Sequence, residues 1–267
     1  MLDLIFKGGV KSAFFQFYFM NYFDTKLGRA FNADCFDVMA TMPDGCVDMI
    51  LADLPYGTTA CKWDTVISFD KLWKELNRIC KPNAAIILTA SQPFTSVAVM
   101  SNIKQFRHQW VWYKKVGSNV FQAKTAPLRV HEDVLVFSKE PCVYFPQMIP
   151  KDKPQMQGTY KTLDDGSGVT NKKGKQALAG KIYSESYPKT IQTFEKERRS
   201  QKPIHPTQKP VALFEYLIKT YTKEGMLVFD PTAGSLTTGV AAENLSRRWV
   251  CCEMLEEYFT KGEARFI

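Results

Sequence analysis

Apolar residues fall along the chain in short blocks separated by polar turns, with two alternating spacings. Asp48-Met49-Ile50-Leu51-Ala52-Asp53 is an apolar run entered through Pro43-Asp44-Gly45, which predicts a turn and then a buried strand ending at Asp53. Leu54-Pro55-Tyr56-Gly57 breaks that strand into a loop. Phe69–Cys80 places Leu72, Trp73, Leu76 and Ile79 on one side of a helix that stops before Pro82. Ala84–Thr89 predicts the next buried strand, Phe94–Asn102 the next helix, and Trp110–Lys114 and Val134–Ser138 two further strands. The patterning lapses near Pro146 and resumes at Val211, where Leu213, Leu217 and Tyr221 share a helical face up to Gly225. Met226–Asp230 then reads as a strand, Pro231–Gly239 as a small-residue loop, Val240–Ser246 as a helix and Arg248–Glu253 as a strand. Strands alternating with helices predict an α/β fold, a Rossmann-like, mostly parallel sheet with helices on both faces. No internal repeat is present.

Length and composition narrow the class. With 267 residues, 45% of them hydrophobic, the chain has enough apolar side chains for a sizeable core, and disorder of the whole chain is excluded. No apolar run approaches the roughly 20 residues of a membrane helix. Seven cysteines without framework spacing and three unpaired histidines argue against a disulfide scaffold or a metal site, and for a reducing cytoplasm. The net charge of +8 suits a polyanionic partner. Residues 151–203 hold 12 Lys and Arg against 6 Asp and Glu and few aliphatic residues. That segment is either a solvated insertion or one that follows a phosphate backbone, with Tyr160, Tyr183, Tyr187 and Phe194 available to pack or stack. Residues 1–25 read as an N-terminal extension. The apolar block Ala13–Tyr18 is short for a secretory signal and no cleavage site follows it, so translation starting near Met20 and a true N-terminal element both stay open.

Two loops carry chemistry. Small residues after the strand ending at Asp230 let a ligand approach the backbone and a helix N-terminus with its unpaired N–H groups. Glu253 closes the following strand 23 positions on, where an acidic residue in a βαβ unit receives ribose hydroxyls. Only Gly234 and Gly239 occur there, so an adenosine without a pyrophosphate fits better than a dinucleotide. The loop Asp53-Leu54-Pro55-Tyr56 places a carboxylate and an aromatic ring at the carboxyl end of a buried strand, where α/β proteins bind ligands. Each loop alone is equally readable as an ordinary turn.

Taken together the loops resemble those of the DNA amino-methyltransferases that use S-adenosylmethionine. Asp53-Leu54-Pro55-Tyr56 is similar to that family's catalytic (Asp/Asn/Ser)-Pro-Pro-(Tyr/Phe) motif, and Phe229-Asp230-Pro231-Thr232-Ala233-Gly234-Ser235 to its cofactor motif. His205-Pro206-Thr207-Gln208-Lys209-Pro210 and His131-Glu132-Asp133-Val134-Leu135-Val136-Phe137 resemble two further recurrent stretches. The order, with the catalytic motif first, is that of the permuted β group, and the likeness runs from about Gly28 to Phe259.

The resemblance implies a catalytic half at 26–146, a target-recognition insertion at 147–204 and a cofactor-binding half at 205–267. It implies methylation of the adenine amine in double-stranded DNA by base flipping, in a bacterial or phage-infected cell and within a restriction-modification setting. Asp53, Leu54, Pro55 and Tyr56 are then catalytic. Asp230, Pro231, Thr232, Ala233, Gly234, Ser235 and Glu253 are cofactor-binding, with Thr207 and Lys209 lining the methionine end. Lys209 equally reads as a solvated lysine at a helix start. Lys62 and Trp63 lie in a loop, Thr58–Asp64, placed to close over the site, and the basic stretch between Lys114 and Arg129, with Asn119 and Gln122, is a candidate DNA surface. An aspartate at the first motif position leans to adenine. Cytosine N4 methylation and an inactive DNA-binding relative are the alternatives, and monomer and homodimer both stay open. Leu54 stands where the family has proline, and Thr232 and Leu236 replace its usual phenylalanine and second glycine.

Overall fold

The computed structural model describes residues 20–57, 64–156, 182–195 and 208–267. The Lys62 and Trp63 loop, Tyr160, His205 and Thr207 lie outside the described residues. Contacts divide the chain into a main unit and a second unit, Pro146–Lys189. The strands of the main unit are β1 (Asn21–Asp24), β2 (Gly28–Asn32), β3 (Val47–Ala52), β4 (Cys80–Ala90), β5 (Phe106–Tyr113), β6 (His131–Phe137), β9 (Ile191–Thr193), β10 (Leu227–Asp230) and β11 (Arg248–Cys252). Its helices are α1 (Cys35–Thr41), α2 (Phe69–Ile79), α3 (Phe94–Ser101), α4 (Val211–Tyr221), α5 (Thr237–Asn244) and α6 (Glu256–Glu263). The second unit holds an antiparallel pair, β7 (Ile149–Met156) and β8 (Ile182–Ser186).

The sheet of the main unit runs β1-β2-β11-β10-β3-β4-β6-β5-β9. From β2 to β4 neighbouring strands are parallel. The flank is mixed, because β6 lies antiparallel to both β4 and β5 while β9 adds on parallel to β5. Alternate residues of β3 serve two cores. Ile50 and Ala52 pack with Val38, Met39, Leu72, Leu76 and Phe94 of α1–α3. Met49 and Leu51 pack with Leu213, Leu217, Ala241 and Phe259 of α4–α6. A strand buried on both faces is a continuous apolar run, as 47–52 is, and each fully buried Leu or Ile contributes about 2 kcal/mol.

Several boundaries differ from the sequence reading. The insertion expected at 147–204 is compact only over Pro146–Lys189. The chain then rejoins the open edge of β5 through Val111 N–H to Thr190 O and Trp112 Nε1–H to Phe194 O, so Phe194 belongs to the main unit. α5 starts at Thr237 rather than Val240, because the Thr238 hydroxyl donates to the Asp230 carboxylate and draws the small residues into the helix. β1, β2, α1 and α6 have no counterpart in the sequence reading.

Candidate active site

β3 and β10 are parallel neighbours, yet their chains depart in opposite directions. β3 continues through α2 to β4 on one side, and β10 continues through α5 to β11 on the other, with the two helices on opposite faces of the sheet. Such a divergence, at the carboxyl ends of the strands, is the place where open α/β sheets form a crevice for ligands. Asp53 leaves β3 and Thr232 follows β10 at that point, and the Thr232 hydroxyl donates to the Asp53 carbonyl at 3.2 Å. A cavity lined by Phe23, Lys26, Glu243 and Arg265 lies instead at the amino edge of the strands, near the end of α5.

The Asp53 carboxylate is held from several directions. One oxygen accepts from the Tyr56 hydroxyl at 2.8 Å and from the Thr89 hydroxyl; the other accepts from the Lys209 ammonium at 2.5 Å. Thr89 arrives through register. Ala52 pairs with Leu88, which sets the next residue of β4 beside Asp53. The Tyr56 ring stacks on Phe94 with centroids 4.8 Å apart, so one ring face is covered. Burial, with the charges of Asp53 and Glu132, pushes the Tyr56 phenol well above its ordinary value, so it stays a donor. Gly57 N–H donates to Asp64 at 2.8 Å, closing the base of the intervening loop. The Leu54 side chain is buried in the core, an anchorage that a proline ring supplies differently.

Lys209 is not a solvated lysine. It is buried, 2.5 Å from Asp53 and 3.4 Å from Glu132, and Glu132 is in turn 3.0 Å from the buried Lys114. Burial alone lowers the Lys209 pKa, but Asp53 and Glu132 outweigh it and the pKa rises above the usual lysine value. Two cations and two anions therefore alternate from the end of β5 to the Asp53 loop, and each buried charge has an opposite neighbour, as its desolvation requires. Sequence reasoning missed Thr89 and Phe94 as site residues. It noted Glu132 only as part of a recurrent stretch.

The loop after β10 separates into supports and open positions. Asp230 is buried, with one carboxylate oxygen accepting from Thr232 N–H at 3.0 Å and the other from Thr238. Ala233 N–H bonds Cys252 O, and Ser235 is buried with its hydroxyl against Thr237. Pro231 is buried as well, so Asp230, Pro231, Ala233 and Ser235 shape the loop from beneath, and Thr232, Gly234 and Glu253 are its more open residues. The Glu253 carboxylate accepts from Gly234 N–H and Leu255 N–H, both at 2.8 Å. Two donors leave lone pairs for further hydrogen bonds on that carboxylate, the acceptor set a ribose diol needs.

Leu236 takes the left-handed conformation at φ 58°, ψ 31°, the geometry a glycine supplies more cheaply. Its buried side chain fills the space over Gly262 of α6, where an added Cβ would lie 2.6 Å from Leu236 Cγ. Leu236 therefore holds this left-handed turn with its side chain packed in the core.

Burial pushes the Asp230 carboxyl up to about 7, against the pull of its two hydrogen bonds. A carboxyl that binds its proton more tightly folded than unfolded favours the native state at low pH, and stability is lost as pH rises from 3.8 toward 7. Asp230→Asn removes the charge and keeps an acceptor for Thr232 N–H, while the Thr238 hydroxyl turns to accept from the new amide. Wild-type stability is expected to fall relative to this variant by about 2 kcal/mol between pH 5 and pH 7, at 1.36 kcal/mol per unit. Denaturant unfolding of both proteins at the two pH values checks this, and parallel profiles refute it.

A twisted, parallel-centred sheet with a crevice at its switch point makes the chain a Rossmann-like α/β protein. The family model described as DNA methylase, of the N6/N4 type, matches residues 47–264. The chain belongs to that family of DNA methylases. It is 27% identical over 259 residues to the type II methyltransferase M2.DpnII of Streptococcus pneumoniae, covering 88% of this chain and 87% of that one. Among solved structures it is similar to the PvuII DNA methyltransferase (cytosine-N4-specific), with a TM-score of 0.65, 18% identity and coverage of 91% and 87% of the two chains. It is also similar to M1.HpyAVI in its SAM complex, with a TM-score of 0.59, 21% identity and coverage of 90% and 100%. Among the described residues no helix is long and apolar enough to cross a membrane, and no cluster of His, Cys, Asp or Glu is placed to hold a metal.

Proposed function

We propose that the protein transfers the methyl group of S-adenosylmethionine to the exocyclic amine of adenine in double-stranded DNA, at specific sites. The observation that carries this reading is the Asp53 carboxylate at the mouth of the crevice, fixed by Tyr56, Thr89 and Lys209 beside the loop that follows β10. The bound cofactor supplies an electrophilic methyl on a sulfonium. Glu253 is suited to the ribose hydroxyls, and Thr232 and Gly234 line the approach.

The adenine amine is a poor nucleophile because its lone pair is delocalised into the ring. Hydrogen bonds from its two N–H groups to Asp53 and to the Leu54 carbonyl favour a pyramidal nitrogen whose lone pair points at the methyl. The nitrogen would bond the carbon that the cofactor's sulfonium gives up, the C–S electron pair staying with sulfur, and the proton the amine then loses would pass by way of the Asp53 carboxylate to solvent. Asp53 contributes orientation and a negative charge next to the nitrogen as it becomes cationic. A base inside a duplex cannot reach this crevice, so the target is turned out of the stack, with the ring of Tyr56 as its platform.

Incubation of the protein with labelled S-adenosylmethionine and unmethylated duplex DNA, followed by nucleoside analysis, tests the reading. N6-methyladenine is expected. N4-methylcytosine would keep the mechanism and reverse the base. No transfer by folded protein that binds DNA would leave only a DNA-binding relative.

A further inference from the structure

The segment joining β5 to β6, residues 114–130, is long for a hairpin connection and closely built. Lys114 N–H bonds Val130 O, Ser118 N–H bonds Arg129 O, and the Asn119 side chain accepts from Arg129 N–H at 2.6 Å while donating to Pro127 O at 3.1 Å. Gly117 lies so close to Leu128 that an added Cβ would sit 2.8 Å from the leucine Cβ. Asn119, within the stretch read from sequence as a candidate DNA surface, is engaged in holding the loop. A single 3-10 turn, Val120–Gln122, forms the tip, closed by Gln122 N–H to Asn119 O and Ala123 N–H to Val120 O.

This frame displays apolar side chains to solvent. Phe121 is fully exposed, and Val116 and Val120 beside it are largely exposed. Single exposed apolar residues are ordinary, whereas a fixed turn that presents an aromatic ring at its apex with aliphatic neighbours marks a contact surface. The surrounding charge selects the partner. Residues 114–131 contain Lys114, Lys115, Lys124 and Arg129 and no acidic residue. Lys114 and Lys115 pair with Glu132 and Glu195, while Lys124 and Arg129 form no ion pair among the described residues. Register fixes the position. Ala90 at the carboxyl end of β4 pairs with Asp133 near the start of β6, and Tyr113 at the end of β5 pairs with His131. The loop therefore rises from the same edge of the sheet as Asp53, and the Lys114–Glu132–Lys209–Asp53 chain joins its root to the catalytic carboxylate.

We infer that Phe121 is an apolar wedge that enters duplex DNA and fills the space vacated when the target nucleotide is extruded. The inference rests on the proposed function and extends it to the step before chemistry. An aromatic ring restores stacking for the base pairs flanking the gap, and Lys124 and Arg129 are suited to the adjoining phosphates. The wedge acts on the flipping equilibrium and not on the methyl transfer itself, so its effect depends on whether the target base begins paired.

The test uses the full chain and a duplex carrying a site that the wild-type protein has been shown, by mapping its products, to methylate. A second duplex has an abasic residue opposite the target base, so that pairing is already lost. Phe121→Ala is expected to lower kcat/KM on the paired duplex about 10-fold or more, and on the abasic duplex by less than about 3-fold, with melting unchanged. Phe121→Leu is expected to recover part of the loss. Equal losses on both duplexes, which a general DNA contact or a disturbed dimer would give, overturn the wedge, as does full activity of Phe121→Ala on paired DNA. A wild-type protein inert on every DNA tried overturns the function and the wedge with it.

Discussion

Asp53→Ala is expected to abolish methyl transfer, by about 1,000-fold or more, while the protein still folds. Loss of a single preorganised electrostatic group at a reacting centre costs about 100- to 1,000-fold, and here the same side chain also orients the amine. Removing the carboxylate strips the acceptor shared by Tyr56, Thr89 and Lys209, so the three donors that define the mouth of the crevice lose their common anchor. The fold survives because Lys209 still faces Glu132 at 3.4 Å and its charge is not orphaned. Transfer assays beside thermal melting check both halves of the expectation. Activity within 10-fold of wild type would assign the amine's acceptor to another group.

Lys209→Ala is expected to cost about 3–5 kcal/mol of stability, the price of removing one member of a buried ion pair and leaving Asp53 uncompensated. The deletion sets two carboxylates, Asp53 and Glu132, around the same space with no cation between them. For a domain of this size that corresponds to a fall of about 10 °C in Tm. Adding Asp53→Asn to Lys209→Ala removes the stranded charge while Glu132 keeps Lys114 at 3.0 Å, so the double variant is expected to be more stable than Lys209→Ala alone. A melting temperature unchanged by Lys209→Ala would show that the ammonium is not the counterion the geometry makes it.

How much of this was legible in the sequence varies with the length of the apolar runs. β3, α2, β4 and α4 announce themselves through strands buried on both faces or helices with one apolar side, and they lie within a few residues of their expected limits. The two loops that meet at the candidate site were legible as loops because each is contiguous. β1 and β2 escaped because Asn21-Tyr22-Phe23-Asp24 and Gly28–Asn32 are short and mix polar with apolar positions, and their pairing depends on β11, far along the chain. The antiparallel placement of β6 left no local trace, since side-chain alternation specifies faces and not direction. Thr89 illustrates the limit at the site. Nothing about a threonine at the end of a strand points to Asp53, 36 positions away, until the register of β3 and β4 is known. Lys209 shows the converse, a residue flagged by its motif whose role as a buried counterion only the fold reveals.

The adjacency of β3 and β10 has a consequence for biosynthesis. The two loops touch through a hydrogen bond that joins Thr232 to Asp53 across 179 positions. As the chain emerges from the ribosome, β3 and β4 appear close together and can pair, but the other edge of β3 stays bare until β10, far along the chain, has been made. That edge carries Met49 and Ile50, which in the finished sheet lie against Val228 and Phe229. An apolar strand with unsatisfied backbone groups on one side is a template for the wrong partner, such as another nascent chain. The chain order that brings the Asp53 loop first thus places its assembly with the Thr232 loop late. Through the interval in which the segment up to β10 is still being translated, that open edge is exposed to such mispairing.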